Sequence, residues 1–373
     1  MQIKSIEPIP VSLPMLKPVI MAGEVVRRAD NVLVRIETDD GLSGWGEAAS
    51  APVMTGETLE SIVAAVDFLA SVLRGREAAD IAGALTAMHG RMYGNNGAKA
   101  AIEIALYDLA GRAAGIPVHA LLGEKKRSRM PLLGVIGGGD FDSDLRDAER
   151  KNVAGFTAYK IKVGVDTPAR DAERTRAICK LLGPEPLISA DANQGFSTAE
   201  AVDYVRAIKG CGLGFFEQPV AAEDLSGMAE VAAASDTAIG ADEGIHSLDD
   251  IRRHHECKAA RGVSLKAIKL GGIGGVVDAA RLCDRLGMSV NISCKTGESS
   301  VACAAALHAA TVIPDLAWAL TLTHTALGED VTGHPVPTAK GHVDALDRPG
   351  LGIEVDVDRV QRYRLDARER QFA

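Results

Sequence analysis

The stretch Thr157-Ala158-Tyr159-Lys160-Ile161-Lys162-Val163 is a short apolar run interrupted by two lysines, and runs of the same kind recur along the chain. Outward from it lie PLLGVI (131–136), PLISADA (186–192), GLGFFEQ (212–218), TAIGADE (237–243), VSLKAIK (263–269), MSVNIS (288–293) and DLAWAL (315–320). They are apolar throughout rather than alternating, the pattern of strands buried on both faces of a parallel sheet. Helical stretches separate them. Thr167-Pro168 opens one that Gly183 closes, Ser197-Thr198-Ala199-Glu200 is a capping box for another ending at Gly210, and Gly287 stops the helix near 276–286. Eight such units predict a closed (β/α)₈ barrel of the α/β class rather than an open doubly wound sheet.

Upstream the text changes. The runs IKSIEPIPVSL, NVLVRIET and SGWGEA alternate, with Asp39-Asp40-Gly41 as a turn signal between the last two, and predict a small antiparallel sheet. Helical spacing follows from about Leu59 to Ala114, closed by Gly115 and Pro117. Together they form an α+β module. Downstream, from about Thr323 to Ala373, polar residues, Pro and Gly increase.

The chain has 373 residues, 47% hydrophobic and 24% charged, with a formal net charge of -9. An acidic chain is a poor nucleic-acid partner, since binding there needs a basic patch that displaces counterions. A small anionic metabolite is still compatible, because a local cationic site can sit inside an acidic shell. Cys179, Cys211, Cys257, Cys283, Cys294 and Cys303 are scattered without a CxxC pair, and are read as buried, reduced residues of a cytoplasmic protein. Neither a signal-peptide core nor a membrane span is indicated. A homo-oligomer is the expectation for a barrel of this size.

The polar residues near the ends of successive runs keep a register: Lys162 to Asp191 is 29 residues, Asp191 to Glu217 is 26, Glu217 to Asp242 is 25 and Asp242 to Lys266 is 24. Each step is one strand-helix unit. In a barrel the C-terminal strand ends converge on one mouth, so two lysines and three carboxylates would share a cavity. A single acid at a strand end is more simply a helix cap or a surface ion pair. Three in succession repel one another unless a cation joins them, and an all-oxygen set suits Mg²⁺, with Mn²⁺ as substitute. Lys160 and Lys162 point to the same side, and a neighbouring ammonium makes a lysine a better base. Lys266 arrives from the sixth strand, across from the second. Such a site could remove the proton next to a substrate carboxylate and stabilise the resulting enediolate.

Lys160-Ile161-Lys162, Asp191-Ala192-Asn193, Glu217-Gln218-Pro219, Ala241-Asp242-Glu243 and Lys266 before Gly271-Gly272, with Gly44-Trp45-Gly46-Glu47 upstream, resemble the muconate lactonizing enzyme subgroup of the enolase superfamily. The resemblance implies that Asp191, Glu217 and Asp242 bind Mg²⁺, that Lys162 and Lys266 are the acid/base pair, and that Lys160 tunes Lys162. It also implies an N-terminal capping domain over 1–125, a barrel over 126–322 and a C-terminal segment, 323–373, returning to the cap. Specificity loops are expected near residues 15–30 and 50–56.

Departures bear on the substrate. Dipeptide epimerases of the subgroup carry Asp-x-Asp at the eighth strand end and muconate cycloisomerases a Glu near there, whereas this chain reads Trp318-Ala319-Leu320-Thr321-Leu322-Thr323. Lys295 stands where relatives often have a small residue, and a cation there could bind a second carboxylate, although such a lysine can equally reach solvent. Asn193, Lys295, Thr296 and Glu298 are the candidate substrate contacts. Lys269 is expected to face elsewhere, Trp318 to pack in the barrel rather than floor a substrate, and His254-His255 to be solvated. Gly271-Gly272-Ile273-Gly274-Gly275 reads as a tight turn rather than a phosphate loop. The leading expectation is a racemase, epimerase or cycloisomerase acting on a small carboxylate such as an N-substituted amino acid. A dehydratase and a non-catalytic binding barrel are the alternatives.

Overall fold

Alternating apolar residues build the N-terminal sheet in the computed structural model, which describes residues 1–21, 24–137 and 140–365. Strands Ile3–Met21, Glu24–Thr38 and Ser43–Ala49 pair antiparallel in sequence order. Helices Leu59–Leu73, Ile81–Arg91 and Asn96–Ala114 follow. The Gly-Trp-Gly-Glu motif explains how the third strand meets the last of these helices. A Cβ on Gly44 would lie 2.3 Å from the Ala105 carbonyl and one on Gly46 1.9 Å from that of Ala101, so only glycine lets strand and helix approach this closely. The Trp45 amide then donates to Asp108 Oδ2 at 3.0 Å.

The second sheet has eight parallel strands in sequence order: Leu133–Ile136, Ala158–Lys162, Leu187–Asp191, Phe215–Glu217, Ala238–Ala241, Gly262–Leu265, Ser289–Ser293 and Leu320–Thr321. A parallel bridge from Leu132 to Leu320 closes the barrel. Buried apolar residues on both faces make this the main core. The expected caps are present, with Pro168 opening one helix, the Ser197/Glu200 capping box opening another, and Gly287 in the left-handed region ending a third.

Several expectations change in detail. The helix that begins at Thr198 ends at Ala207, three residues before Gly210. Asp315 to Ala319 are not strand; a short 3₁₀ turn, His324–Ala326, follows the two-residue eighth strand. Trp318 therefore lies before that strand, at the end of the barrel away from the cavity. It stacks on Phe215 at 4.1 Å and 6° and fills the space left by Gly240 and Gly262. His254 is buried, with Nδ1 2.8 Å from the Asp250 carbonyl, while His255 is exposed. All six cysteines are free, but Cys257 is exposed and Cys211 half-buried.

The two modules are joined by buried polar contacts. The Glu103 carboxylate, from helix Asn96–Ala114, accepts from the amides of Ile273 and Gly274 at 2.8 Å each. It thus occupies the N-terminus of helix Ile273–Leu286, the place where a phosphate would bind, and supports the turn reading of the glycine-rich segment. In the C-terminal segment, strand Thr338–Ala339 pairs with His342–Asp344, which pairs in turn with Arg129–Pro131. Beyond them, Arg364 bridges Val11, Gly350 bridges Pro117, and Arg112 donates to the Ile353 carbonyl at 2.9 Å.

Burial raises the Glu103 carboxyl to about 8, outweighing the two amide bonds that favour its charge. A carboxyl raised in the folded state favours folding while protonated. Its contribution is complete below the ordinary glutamate range and is lost as pH rises through about 8. Thermal melts across that window should fall more steeply for the wild type than for Glu103→Gln, by roughly 1–2 °C for each kcal/mol of ionisation cost. Parallel curves for the two proteins would contradict this account.

Candidate active site

Parallel pairing sets the site. Lys162 is registered with Asp191, and Asp191 with Glu217, so three charged strand ends stand side by side. Asp242 and Lys266 each lie one residue beyond their strands. A cavity of about 450 Å³ at this end is lined by Lys160, Lys162, Asp191, Glu217, Asp242 and Lys266, with Asn193, Lys295 and Thr296 on its wall. The capping module contributes Lys17, Val19 and Met54 to the lining, within the two segments where specificity loops were expected.

The carboxylates are engaged by ammonium groups. Lys162 Nζ lies 2.7 Å from Asp191 Oδ2 and 2.6 Å from Asn193 Oδ1. Lys160 Nζ lies 2.6 Å from Glu217 Oε2 and 3.6 Å from Asp191 Oδ2. Lys266 pairs with Asp242 Oδ2, and Lys269 with Asp242 Oδ1 at 2.6 Å. Burial opposes the charges of Asp191, Glu217, Asp242 and Lys266, and it is overcome at some of them and not at others. Lys162 and Lys160 hold Asp191 below the usual carboxylate range. Lys266 and Lys269 hold Asp242 well below it. For Glu217, burial together with Asp191 and Asp242 prevails over Lys160, and its pKa is raised. Despite burial, Asp242 and Glu243 keep Lys266 above the ordinary lysine value.

Around this centre, Gln218 Oε1 accepts from the amides of Asp242 at 2.8 Å and Gly244 at 3.2 Å, which explains the Gln in Glu-Gln-Pro: it fixes the next strand end. Asn193 Nδ2 donates to Glu243 Oε1 at 3.0 Å, so the side chain that holds Lys162 is itself held.

Lys269 corrects the reading that it faces elsewhere. The sixth strand stops at Leu265, and Ala267–Leu270 is a single helical turn. A spacing of three reverses the face in a strand but keeps it in a helix, so Lys269 joins Lys266 on Asp242. The Gly271-Gly272 pair just downstream was the available signal for that turn. Glu298 is absent from the described residues lining the cavity; its Oε2 accepts from the Lys295 amide at 2.9 Å. Thr321 and Thr323, at the eighth strand end where relatives carry Asp-x-Asp or Glu but outside the expected substrate contacts, do line it.

Among the described residues no three His, Cys, Asp or Glu side chains form a ready ligand cluster, since each acid is turned onto a lysine. The donor set nevertheless fits a hard divalent ion. Three all-oxygen donors line one cavity, and Glu217 Oε1 is buried without a hydrogen-bond partner.

Residues 6–123 match the model of the mandelate racemase / muconate lactonizing enzyme N-terminal domain, and residues 144–360 that of the enolase C-terminal domain-like family. A chloromuconate cycloisomerase of Cupriavidus necator is 30% identical over 97% of this chain and 99% of its own. The crystal structure of N-succinyl Arg/Lys racemase from Bacillus cereus superposes with a TM-score of 0.93 at 28% identity, covering 98% of this chain and 99% of that one. A Cytophaga hutchinsonii dipeptide epimerase complexed with Mg and D-Ala-L-Val has a TM-score of 0.91 at 27% identity, covering 97% and 98%. This chain belongs to the muconate lactonizing enzyme subgroup of the enolase superfamily. It is an isomerase of that subgroup, whose members use a divalent metal and act on small carboxylates.

Lys269→Met should destabilise the protein by about 3 kcal/mol in urea denaturation, because it leaves Asp242 buried with one ammonium fewer. A loss below about 1 kcal/mol would show that Lys266 alone suffices.

Proposed function

We propose that the enzyme catalyses Mg²⁺-dependent removal of the proton alpha to a carboxylate, as a racemase, epimerase or cycloisomerase of a small carboxylate such as an N-substituted amino acid. One observation carries this: from the second and sixth of eight barrel strands Lys162 reaches Asp191 and Lys266 reaches Asp242, on either side of Glu217. In a closed barrel those strands face each other, so a carbon held between the two amines is open to proton transfer from both sides.

Asp191, Glu217 and Asp242 would hold the ion. Bound there, Mg²⁺ supplies positive charge against the substrate carboxylate and so stabilises the enediolate left when the α-proton departs. The Mg named with the Cytophaga epimerase supports this choice. Lys162 takes the proton from one face, with Lys160 as its charged neighbour, and Lys266 delivers one to the other. Asn193 orients Lys162 through its 2.6 Å bond. At the centre, Lys160, Lys162 and Lys266 match Asp191, Glu217 and Asp242 in number, so a divalent ion held there would leave a net positive charge, which favours an anionic substrate. Lys295 and Thr296 would take a distal group, and the succinyl carboxylate named for the Bacillus relative has the matching charge.

We also assign 1–125 to the cap, 126–322 to the barrel and 323–373 to the returning segment, and place a homo-oligomer in the cytoplasm on the strength of six free thiols. No helix among the described residues is long and apolar enough to cross a membrane.

Solvent-deuterium exchange tests the chemistry. With Mg²⁺, the wild type should exchange the α-proton of N-succinyl amino acids. Lys162→Ala and Lys266→Ala should each lose exchange from one face, with rates lowered about 10²–10⁴-fold, and chelation should abolish it reversibly. Two variants that exchange like the wild type would refute the assignment. Release of a 2-keto product would instead indicate a dehydratase.

A further inference from the structure

The barrel's seventh-strand loop, Cys294 to Ser299, is tied to both modules. On the barrel side, Thr323 Oγ1 donates to the Lys295 carbonyl at 2.8 Å, and the Cys294 amide donates to the Thr321 carbonyl at 2.9 Å. On the cap side, Asn31 Nδ2 donates to the Gly297 carbonyl at 2.9 Å. Glu47 accepts from the Ser299 amide at 2.9 Å, the Ser299 hydroxyl at 2.6 Å and the Ala302 amide at 3.0 Å. Asn31 Nδ2 also donates to Glu47 Oε1 at 2.7 Å, joining the two contacts. Gly297, at φ +89, packs so closely that a Cβ there would lie 2.5 Å from the Ala29 Cβ.

Capping the following helix, Ser300–Val312, is the simpler role for Glu47. That helix is largely provided for already: Ser299 Oγ accepts from the Val301 amide at 3.2 Å, and Asp330 from the Ser300 amide at 3.1 Å. Glu47 has zero exposure and, among the described residues, no ion-pair partner; burial raises its pKa to about 7. A buried acid without a counter-ion is costly, and what it uniquely provides here is a rigid link between strand Ser43–Ala49 and the loop carrying Lys295 and Thr296.

We propose that Asn31 and Glu47 are positioning residues that hold Lys295 and Thr296 against the cavity, so that the capping module sets how the barrel reads the distal end of the substrate. This rests on the proton-transfer reading above and on Lys295 as the distal contact. The two cap residues lie in strands Glu24–Thr38 and Ser43–Ala49, the sheet whose first strand also sends Lys17 and Val19 to the cavity. The cap therefore shapes specificity twice, by direct lining and through the loop it holds.

The test compares N-succinylglycine with N-butyrylglycine, which differ in the distal carboxylate, in Mg²⁺-loaded α-proton exchange. Wild type should favour the succinyl compound by about tenfold in kcat/KM, and Lys295→Ala should lose that preference. Glu47→Ala should raise KM for N-succinylglycine about tenfold, leave kcat within about twofold and spare N-butyrylglycine, while Glu47→Gln, which keeps one of the two acceptor oxygens, recovers part of the loss. Hydrogen exchange of the 294–302 amides should accelerate in Glu47→Ala and less in Glu47→Gln. Asn31→Ala and Ser299→Ala serve if Glu47→Ala does not fold. Unchanged discrimination with unchanged amide exchange overturns the proposal, as does an equal loss of kcat on both substrates. If neither compound exchanges in the wild type, the functional reading fails, and amide exchange alone then decides the positioning role: faster exchange partly rescued by Gln supports it and no change refutes it.

Discussion

Charge pairing among buried groups at the barrel mouth is the constraint on which the rest of the structure depends. Asp191, Glu217 and Asp242 are each almost fully buried, and an unpaired carboxylate in such a place is costly. Four lysines answer them: Lys160, Lys162, Lys266 and Lys269. The arrangement is cohesive without being closed, since Glu217 Oε1 still lacks a partner and the cavity beside it is open to a ligand. The same compensation that stabilises the fold brings bases and ligand oxygens together.

The eight parallel strands hold these groups in place because their hydrogen-bond register is regular. Pairing of Lys162 with Asp191 and of Asp191 with Glu217 fixes the groups to within a strand spacing, and Gln218 carries the alignment on to Asp242. The cap covers the mouth and is locked by buried carboxylates, Glu103 on one barrel helix and Glu47 on another. Both are raised by burial, so the seam between the modules is one place where pH acts on the fold.

The chain read alone shows the barrel, the order of its strands and the five residues spaced one unit apart, because the strand-helix unit is a local pattern repeated eight times and the five residues stand at successive strand ends. Errors fell where a short element replaced a longer one. Lys269 was placed on the wrong face because a helical turn begins right after Leu265, and Trp318 was put in a strand that starts only at Leu320. His254 looked solvated from its polar neighbours yet lies buried against Asp250.

What the sequence determined by itself, then, is the fold, the family and the identity of the charged strand ends, since apolar periodicity and strand-end spacing are properties of the chain. What only the tertiary structure decided is partnership: which lysine faces which acid, that Glu103 fills the helix terminus beside the glycine-rich turn, and that Asn31 and Glu47 grip a loop some 250 residues away. Contacts of that separation depend on how two modules dock. Docking is set by the shapes of packed surfaces such as Gly44 and Gly46 against their helix, which no local pattern encodes.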